Sequence, residues 1–164
     1  MELFEAINNR ASVREYQPNP VQRELLQQIV DAGRRAPTAR NLQPCEFVVI
    51  TDSSIRAKIA EITDYGKFIA QAPACIAVYS KETKYYLEDG CIASENILLA
   101  ATALGLGSCW VAGDKKPYTA KISGLLQVPP QYKLIALLAI GYPKAPVVPK
   151  TKRPLAEVLH WEMF

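Results

Sequence analysis

The stretch YLEDGCIASENILLAATAL, Tyr86–Leu104, decides how the rest of the chain must be arranged. Its spacing predicts the longest helix of the protein, with Ile92, Asn96, Leu99, Ala100 and Ala103 along one face and Ile97, Leu98 and Ala101 on the others. A helix that is apolar all round must be covered on several sides. The longest apolar run, Cys91 to Leu106, is 16 residues and contains Glu95 and Asn96, short of the roughly 20 needed to cross a bilayer. It therefore reads as a buried helix. A sheet can cover one side, and a 164-residue monomer has few elements left for the others, so the excess predicts a subunit interface and a homodimer.

Working outward, Ser108 to Val111 reads as a strand, Pro117 to Leu126 as a short helix, and Lys133 to Ile140 (KLIALLAI) as a strand. The unbroken hydrophobicity of that last run places it in the middle of a sheet. Upstream, Ala74 to Tyr79 and Phe47 to Thr51 are rich in β-branched and aromatic residues and read as strands, and Asp52 or Ser53 caps a helix running to Ile62. Val21 to Arg35 carries Leu25, Leu26, Ile29, Val30 and Gly33 at helical spacing, and Leu3, Phe4 and Ile7 mark a first short helix ending near Arg10. The twelve prolines sit mostly at the joints. With two helices leading and no regular βαβ cadence, the pattern predicts an α+β fold in which helices cover a mixed, mainly antiparallel central sheet. Beyond Gly141 the chain is proline-rich and extended, with Lys150, Lys152 and Arg153 close together before a short turn at Leu155 to Leu159.

The composition narrows the functional classes. At 164 residues one core can bury roughly 70% of the unfolded surface, so residues 1–164 read as a single domain. A net charge of +3 is too small to make nucleic acid or a membrane surface the default partner. Cys45, Cys75, Cys91 and Cys109 are 30, 16 and 18 residues apart without a CxxC pair, and His160 is the only histidine, so no metal site is expected. With no secretory signal at the N-terminus, the cysteines read as buried, reduced thiols and the expected compartment is the cytoplasm. A lone His160 near the C-terminus makes nucleophilic catalysis through a histidine base improbable. The glycines of Gly105 to Gly107 close a helix before a strand, the reverse of a dinucleotide fingerprint.

Three segments carry chemistry. In RASVREY, Arg10, Ser12 and Arg14 alternate, and in an extended segment every second side chain points the same way, so two guanidinium groups and a hydroxyl converge on one oxyanion. The same spacing also suits a solvated helix end with Arg10 complementing the helix dipole. In APTARNLQP, Pro37, Thr38, Asn41 and Gln43 form a loop of short hydrogen-bonding side chains; the amides offer donor and acceptor together, as reading the edge of a planar heterocycle demands. In GLGSCWVAG, Gly113 follows a buried strand and permits a ring to approach the backbone. The basic tail can close on the same anion.

Taken in order, these segments and the long helix with Asn96 resemble the nitroreductase family of FMN-dependent oxidoreductases, from Leu3 to the tail. The resemblance implies an α+β homodimer with FMN at the subunit interface. It implies that Arg10, Ser12 and Arg153, with Lys152 as helper, hold the FMN phosphate, and that Arg14 faces the pyrimidine edge of the ring, where reduction places negative charge. Pro37, Thr38, Asn41 and Gln43 would reach the ring and ribityl chain from the partner subunit. The backbone N–H around Gly113 would lie beside N5, and Ala11 and Trp110 fall within the same cofactor-binding motifs. No catalytic side chain is implied, since the flavin carries the chemistry.

The implied activity is ping-pong hydride transfer from NADH or NADPH to nitroaromatic, quinone or similar small acceptors, with Tyr65, Lys67, Phe68 and Trp110 as candidate borders of the pocket. Reductive dehalogenation, oxygen-dependent flavin destruction and a non-enzymatic flavin-binding role stay open. The chain departs from the family pattern at Ala11, where many relatives carry a second basic residue. Ala112 stands where some carry Glu, and the connection from Tyr79 to Asp89 is short.

Overall fold

The computed structural model describes Met1–Phe164 and places the decisive stretch as helix α4, Tyr86–Ala103. The chain order is α1 (Leu3–Asn9), α2 (Arg23–Arg34), β1 (Cys45–Ile50), α3 (Ser53–Ile62), β2 (Ala74–Lys81), α4, β3 (Gly107–Ala112), α5 (Thr119–Leu125) and β4 (Tyr132–Gly141). Single 3-10 turns at Ala39–Asn41, Lys67–Ala70 and Leu155–Glu157 punctuate it. The first two are too short to show a hydrophobic period and were not expected. Asp52 caps α3 as foreseen: its Oδ1 accepts the N–H groups of Ser54 at 2.8 Å and Ile55 at 3.1 Å.

The strands lie in the order β1-β2-β4-β3, antiparallel throughout. The mixed character expected of the sheet is confined to one parallel bridge, Ser12 to Ser108, which lays the RASVREY segment along the outer edge of β3. Strand β4 is interior, as its unbroken apolar run requires, and Leu134 to Ile140 are all buried; each such Leu or Ile contributes about 1.5–3 kcal/mol.

Helices cover both faces. Cys75, Ala77, Tyr79, Leu137 and Ala139 pack under α3 and α5, whereas Ile76, Val78, Leu138 and Ile140 pack under α2 and α4. The alternation slips once. Val78 pairs with Ala136 but Tyr79 pairs with Leu134, so Ile135 is the extra residue of a β-bulge, and Ile135 and Ala136 both join the α2/α4 layer.

Helix α4 is not enclosed within one chain. Asp89, Gly90, Ala93, Ser94, Ile97, Leu98 and Ala101 are buried, while Ile92 is 42% exposed. Residues 144–164 are exposed throughout, including Val148, Leu155, Trp161 and Phe164. The cysteines are all free, but only Cys75 and Cys109 are buried; Cys45 and Cys91 are half-exposed. No helix is long and apolar enough to cross a membrane.

Candidate functional site

The RASVREY segment runs extended beside β3, with the Val13 N–H donating to the Ser108 carbonyl at 2.9 Å. Its alternation places Arg10, Ser12 and Arg14 on one side, around Cys109 on β3. Burial raises the pKa of the Cys109 thiol, against the pull of the Arg14 and Arg10 charges and a hydrogen bond from Ser12. Arg10 and Glu95 of α4 approach only to 3.9 Å, and Arg14 has no carboxylate partner. Two cations and a hydroxyl, weakly compensated, form a donor set that fits a phosphate or another oxyanion. Ala11 points to the opposite side, into a small cavity it shares with Asn9 and Val13, and adds no charge.

Beside Arg14 opens a cleft of about 390 Å³ whose walls include Tyr65, Phe68, Trp110 and Tyr118. Arg14 lies 5.8 Å from the Phe68 ring centroid and the Lys116 ammonium 6.0 Å from that of Tyr65. Of the expected borders, Tyr65, Phe68 and Trp110 line this cleft and Lys67 does not. Its ammonium instead donates to the carbonyls of Ala60 at 2.9 Å and Glu61 at 3.1 Å, capping the end of α3. Lys116 and Tyr118 were not foreseen. Both sit in a polar turn after β3, and only the tertiary fold brings that turn back over the cleft.

Gly113 needs correction in two respects. Its N–H donates to the Ile135 carbonyl at 3.1 Å, which also takes the Asp114 N–H at 3.3 Å. A Cβ there would meet Leu134 Cγ at 2.7 Å and the Ile135 backbone at 2.9 Å. The glycine is therefore demanded by the bulged strand beneath it, and its own N–H is not free for a ligand. Alternation along β3 turns the neighbouring residues the other way. Ser108 takes the Val13 N–H and the Ala112 carbonyl takes the Tyr118 hydroxyl on the open edge, so the backbone N–H groups of Trp110 and Ala112, both in the cleft lining, lie on that edge.

The APTARNLQP loop lies elsewhere in the same chain. Thr38 and Gln43 line a separate cavity of about 200 Å³ with Gly33, Ala36, Cys45 and Ala93, while Pro37 and Asn41 are exposed and do not line it. The Thr38 hydroxyl accepts the Gln43 N–H at 3.0 Å, and Arg40, Asn41 and Gln43 all have positive φ. The Ala39 N–H donates at 3.0 Å to Oδ1 of Asp89, a buried residue whose Oδ2 has no partner. Asp89 was not anticipated, because an acid in the first turn of a helix already has a reason to be there.

Lys152 and Arg153 lie in the exposed tail, with no hydrogen bond or ion pair to the rest of their chain. His160 stacks at 4.3 Å on Phe164, away from any cavity described here. No group of histidine, cysteine and acidic side chains is arranged to hold a metal.

A family model described as "Putative TM nitroreductase" matches residues 2–163. The "Putative NADH dehydrogenase/NAD(P)H nitroreductase" of Methanothermobacter thermautotrophicus is 34% identical over 151 residues, 87% of this chain and 78% of the relative. A crystal structure of the protein of the same description from Parabacteroides distasonis superimposes with a TM-score of 0.93 at 29% identity, covering 99% of this chain and 98% of that one. A nitroreductase from Desulfovibrio desulfuricans, described as putative and solved in complex with FMN, superimposes with a TM-score of 0.88 at 32% identity, covering 100% and 98%. Sequence and fold agree, and the chain belongs to the nitroreductase family.

Proposed function

We propose that this chain is an FMN-dependent NAD(P)H oxidoreductase that works as a homodimer, the whole of residues 1–164 acting as one domain. The observation that carries the reading is the undercompensated cluster of Arg10, Ser12 and Arg14 beside an aromatic-walled cleft. Arg10 and Ser12 of this cluster fit the FMN phosphate, and Arg14 at the mouth of the cleft fits the edge of the flavin where negative charge grows on reduction. The outward Ala112 N–H fits a hydrogen-bond donor at N5, and Trp110 a wall against the ring. When bound, FMN supplies hydride acceptance and donation; the side chains supply binding, orientation and charge.

A second subunit is required by the same reading. The Pro37, Thr38, Asn41 and Gln43 loop lines a cavity distinct from the Arg14 cleft, so a ring held at one is met by the other only across an interface. The open side of α4 and the exposed apolar tail supply surface for that interface, and the tail brings Lys152 and Arg153 as further phosphate partners. Donor and acceptor occupy the same cleft in turn, which makes the kinetics ping-pong. For a quinone the balance is Q + NAD(P)H + H⁺ → QH₂ + NAD(P)⁺, and nitroaromatics are the other acceptor class.

The test is a visible absorbance spectrum of the purified protein before and after incubation with FMN and desalting, followed by anaerobic stopped-flow mixing with NADH and NADPH. A retained flavin spectrum that bleaches with either nucleotide is expected. A flavin that binds and stays oxidised overturns the enzymatic reading and leaves a flavin-binding protein; a protein that refuses FMN overturns the site.

A further inference from the structure

We propose that the cleft beside Arg14 selects flat aromatic electron acceptors that carry a negative group, with Lys116 as the selecting cation. The inference rests on the oxidoreductase reading above and adds a substrate class to it.

The walls are aromatic: Tyr65, Phe68 and Trp110 are the accessible rings on which a planar molecule stacks, while Tyr118 is almost wholly buried. Tyr65 stands 82% exposed at the lip, so its ring is open to a ligand entering the cleft. The lining holds two cations, Arg14 and Lys116, and no carboxylate. Asp64 and Asp114 lie outside it, and Asp114 Oδ1 is occupied by the Tyr86 hydroxyl at 3.0 Å. Arg14 is assigned to the flavin edge, so Lys116 is the cation left for the acceptor. It is half-buried and enters no ion pair, and its ammonium lies over the exposed Tyr65 ring. A ring stacked against Tyr65 would bring an anionic substituent within reach of that charge, in a partly desolvated setting where attraction is stronger than in water. A neutral ring stacks equally well and forgoes the attraction; a cationic ring is repelled.

The chemistry served is a two-electron reduction. For a nitro acceptor, R–NO₂ + NAD(P)H + H⁺ → R–NO + NAD(P)⁺ + H₂O: the nicotinamide is oxidised, one N–O bond breaks, and the transferred hydride and the solvent proton leave with the oxygen as water.

The experiment compares 4-nitrobenzoate with its neutral isostere 4-nitrobenzamide on the FMN-loaded protein. Dissociation constants are measured with the oxidised protein and kcat/KM is measured with NADH and NADPH. The carboxylate is expected to bind about tenfold more tightly at low salt, the size of one partly screened charge pair. Lys116→Gln brings the ratio to about one, and Lys116→Arg keeps most of it. Equal dissociation constants in the wild-type protein, or a ratio that Lys116→Gln does not move, overturn the assignment. So does a Lys116→Gln effect confined to the KM for NADPH, which would place the cation on the donor. These outcomes differ from failure of the parent reading, in which the loaded protein takes no electrons from either nucleotide and the acceptor class falls with it.

Discussion

The Ala39 N–H donates to the buried carboxylate of Asp89, fifty residues further along the chain, at 3.0 Å. This bond ties the loop after α2 to the first turn of α4 at the point where the loop backbone is most unusual, with φ of 55° at Arg40, 54° at Asn41 and 51° at Gln43. Left-handed conformations cost non-glycine residues roughly 1–2 kcal/mol each, so the loop keeps this shape only because its surroundings hold it. Asp89→Ala should lower the unfolding free energy by about 1–3 kcal/mol through the lost buried bond. It should also weaken FMN binding more than its stability loss explains, because in the proposed dimer the loop presents Thr38 and Asn41 to the partner. Asp89→Asn keeps an acceptor oxygen for Ala39 and should recover most of the affinity. Fluorescence titration of the apoprotein with FMN checks both, and an Asp89→Ala variant with wild-type affinity removes the loop from the site.

Arg10 and Arg14 share one side of an extended segment but should fail differently when truncated. Arg10→Ala removes the cation proposed to hold the phosphate together with Arg153 of the tail, and the protein should purify without FMN. Arg14→Ala should retain FMN, because its phosphate is held elsewhere, while the two-electron potential falls and reduction by NAD(P)H slows. Spectroelectrochemical titration decides the second case; an unchanged potential excludes Arg14 from the flavin edge.

Gly90 of α4 lies over the bulged residue of β4. A Cβ at that position would collide with Ile135 Cγ1 and stand 3.0 Å from its Cγ2. Gly90→Ala should therefore destabilise the fold by about 1–3 kcal/mol, although alanine is the better helix former. The paired change Gly90→Ala with Ile135→Ala should cost less than the two single changes added together, since it removes both γ carbons that the new methyl group meets. Urea denaturation of the three variants measures the coupling.

The thiol of Cys75 is fully buried in β2, and burial pushes its pKa from 9.0 up to about 12; burial likewise takes Cys45 up to about 11. Between these values and 9.0 the unfolded chain loses the thiol proton while the folded chain keeps it. The folded state then binds more protons, so stability falls as pH rises through that window, by up to about 1.4 kcal/mol per pH unit for each thiol. Denaturation midpoints at pH 8, 9 and 10 should decline, and less steeply in Cys75→Ala. Thiol-directed reagents at pH 8 should leave Cys75 unmodified in the folded protein.

The layered architecture was legible because hydrophobic period is a local property. Lys133 to Ile140 reads as an interior strand and lies between β2 and β3; Asp52 reads as a cap and caps α3. Arg10, Ser12 and Arg14 were legible for the same reason, since alternation along an extended segment needs only local geometry. Three features escaped. Lys67 and Lys116 are both lysines in polar turns, and nothing local distinguishes the one that caps α3 from the one that faces the cleft. The Ile135 bulge leaves no mark in an apolar run, yet it determines what Gly113 packs against and which way its N–H points. Asp89 acts on a residue fifty positions away.

By itself, then, the amino-acid sequence determined the elements, the class of fold, the family and the residues that gather positive charge, because these follow from periodicity and from short motifs within one segment. Tertiary structure alone decided which lysine reaches the aromatic cleft, which amides of β3 lie on its open edge, and which acid holds the strained loop. Those assignments depend on a strand register and on contacts between segments far apart in the chain, and no local pattern of residues encodes them.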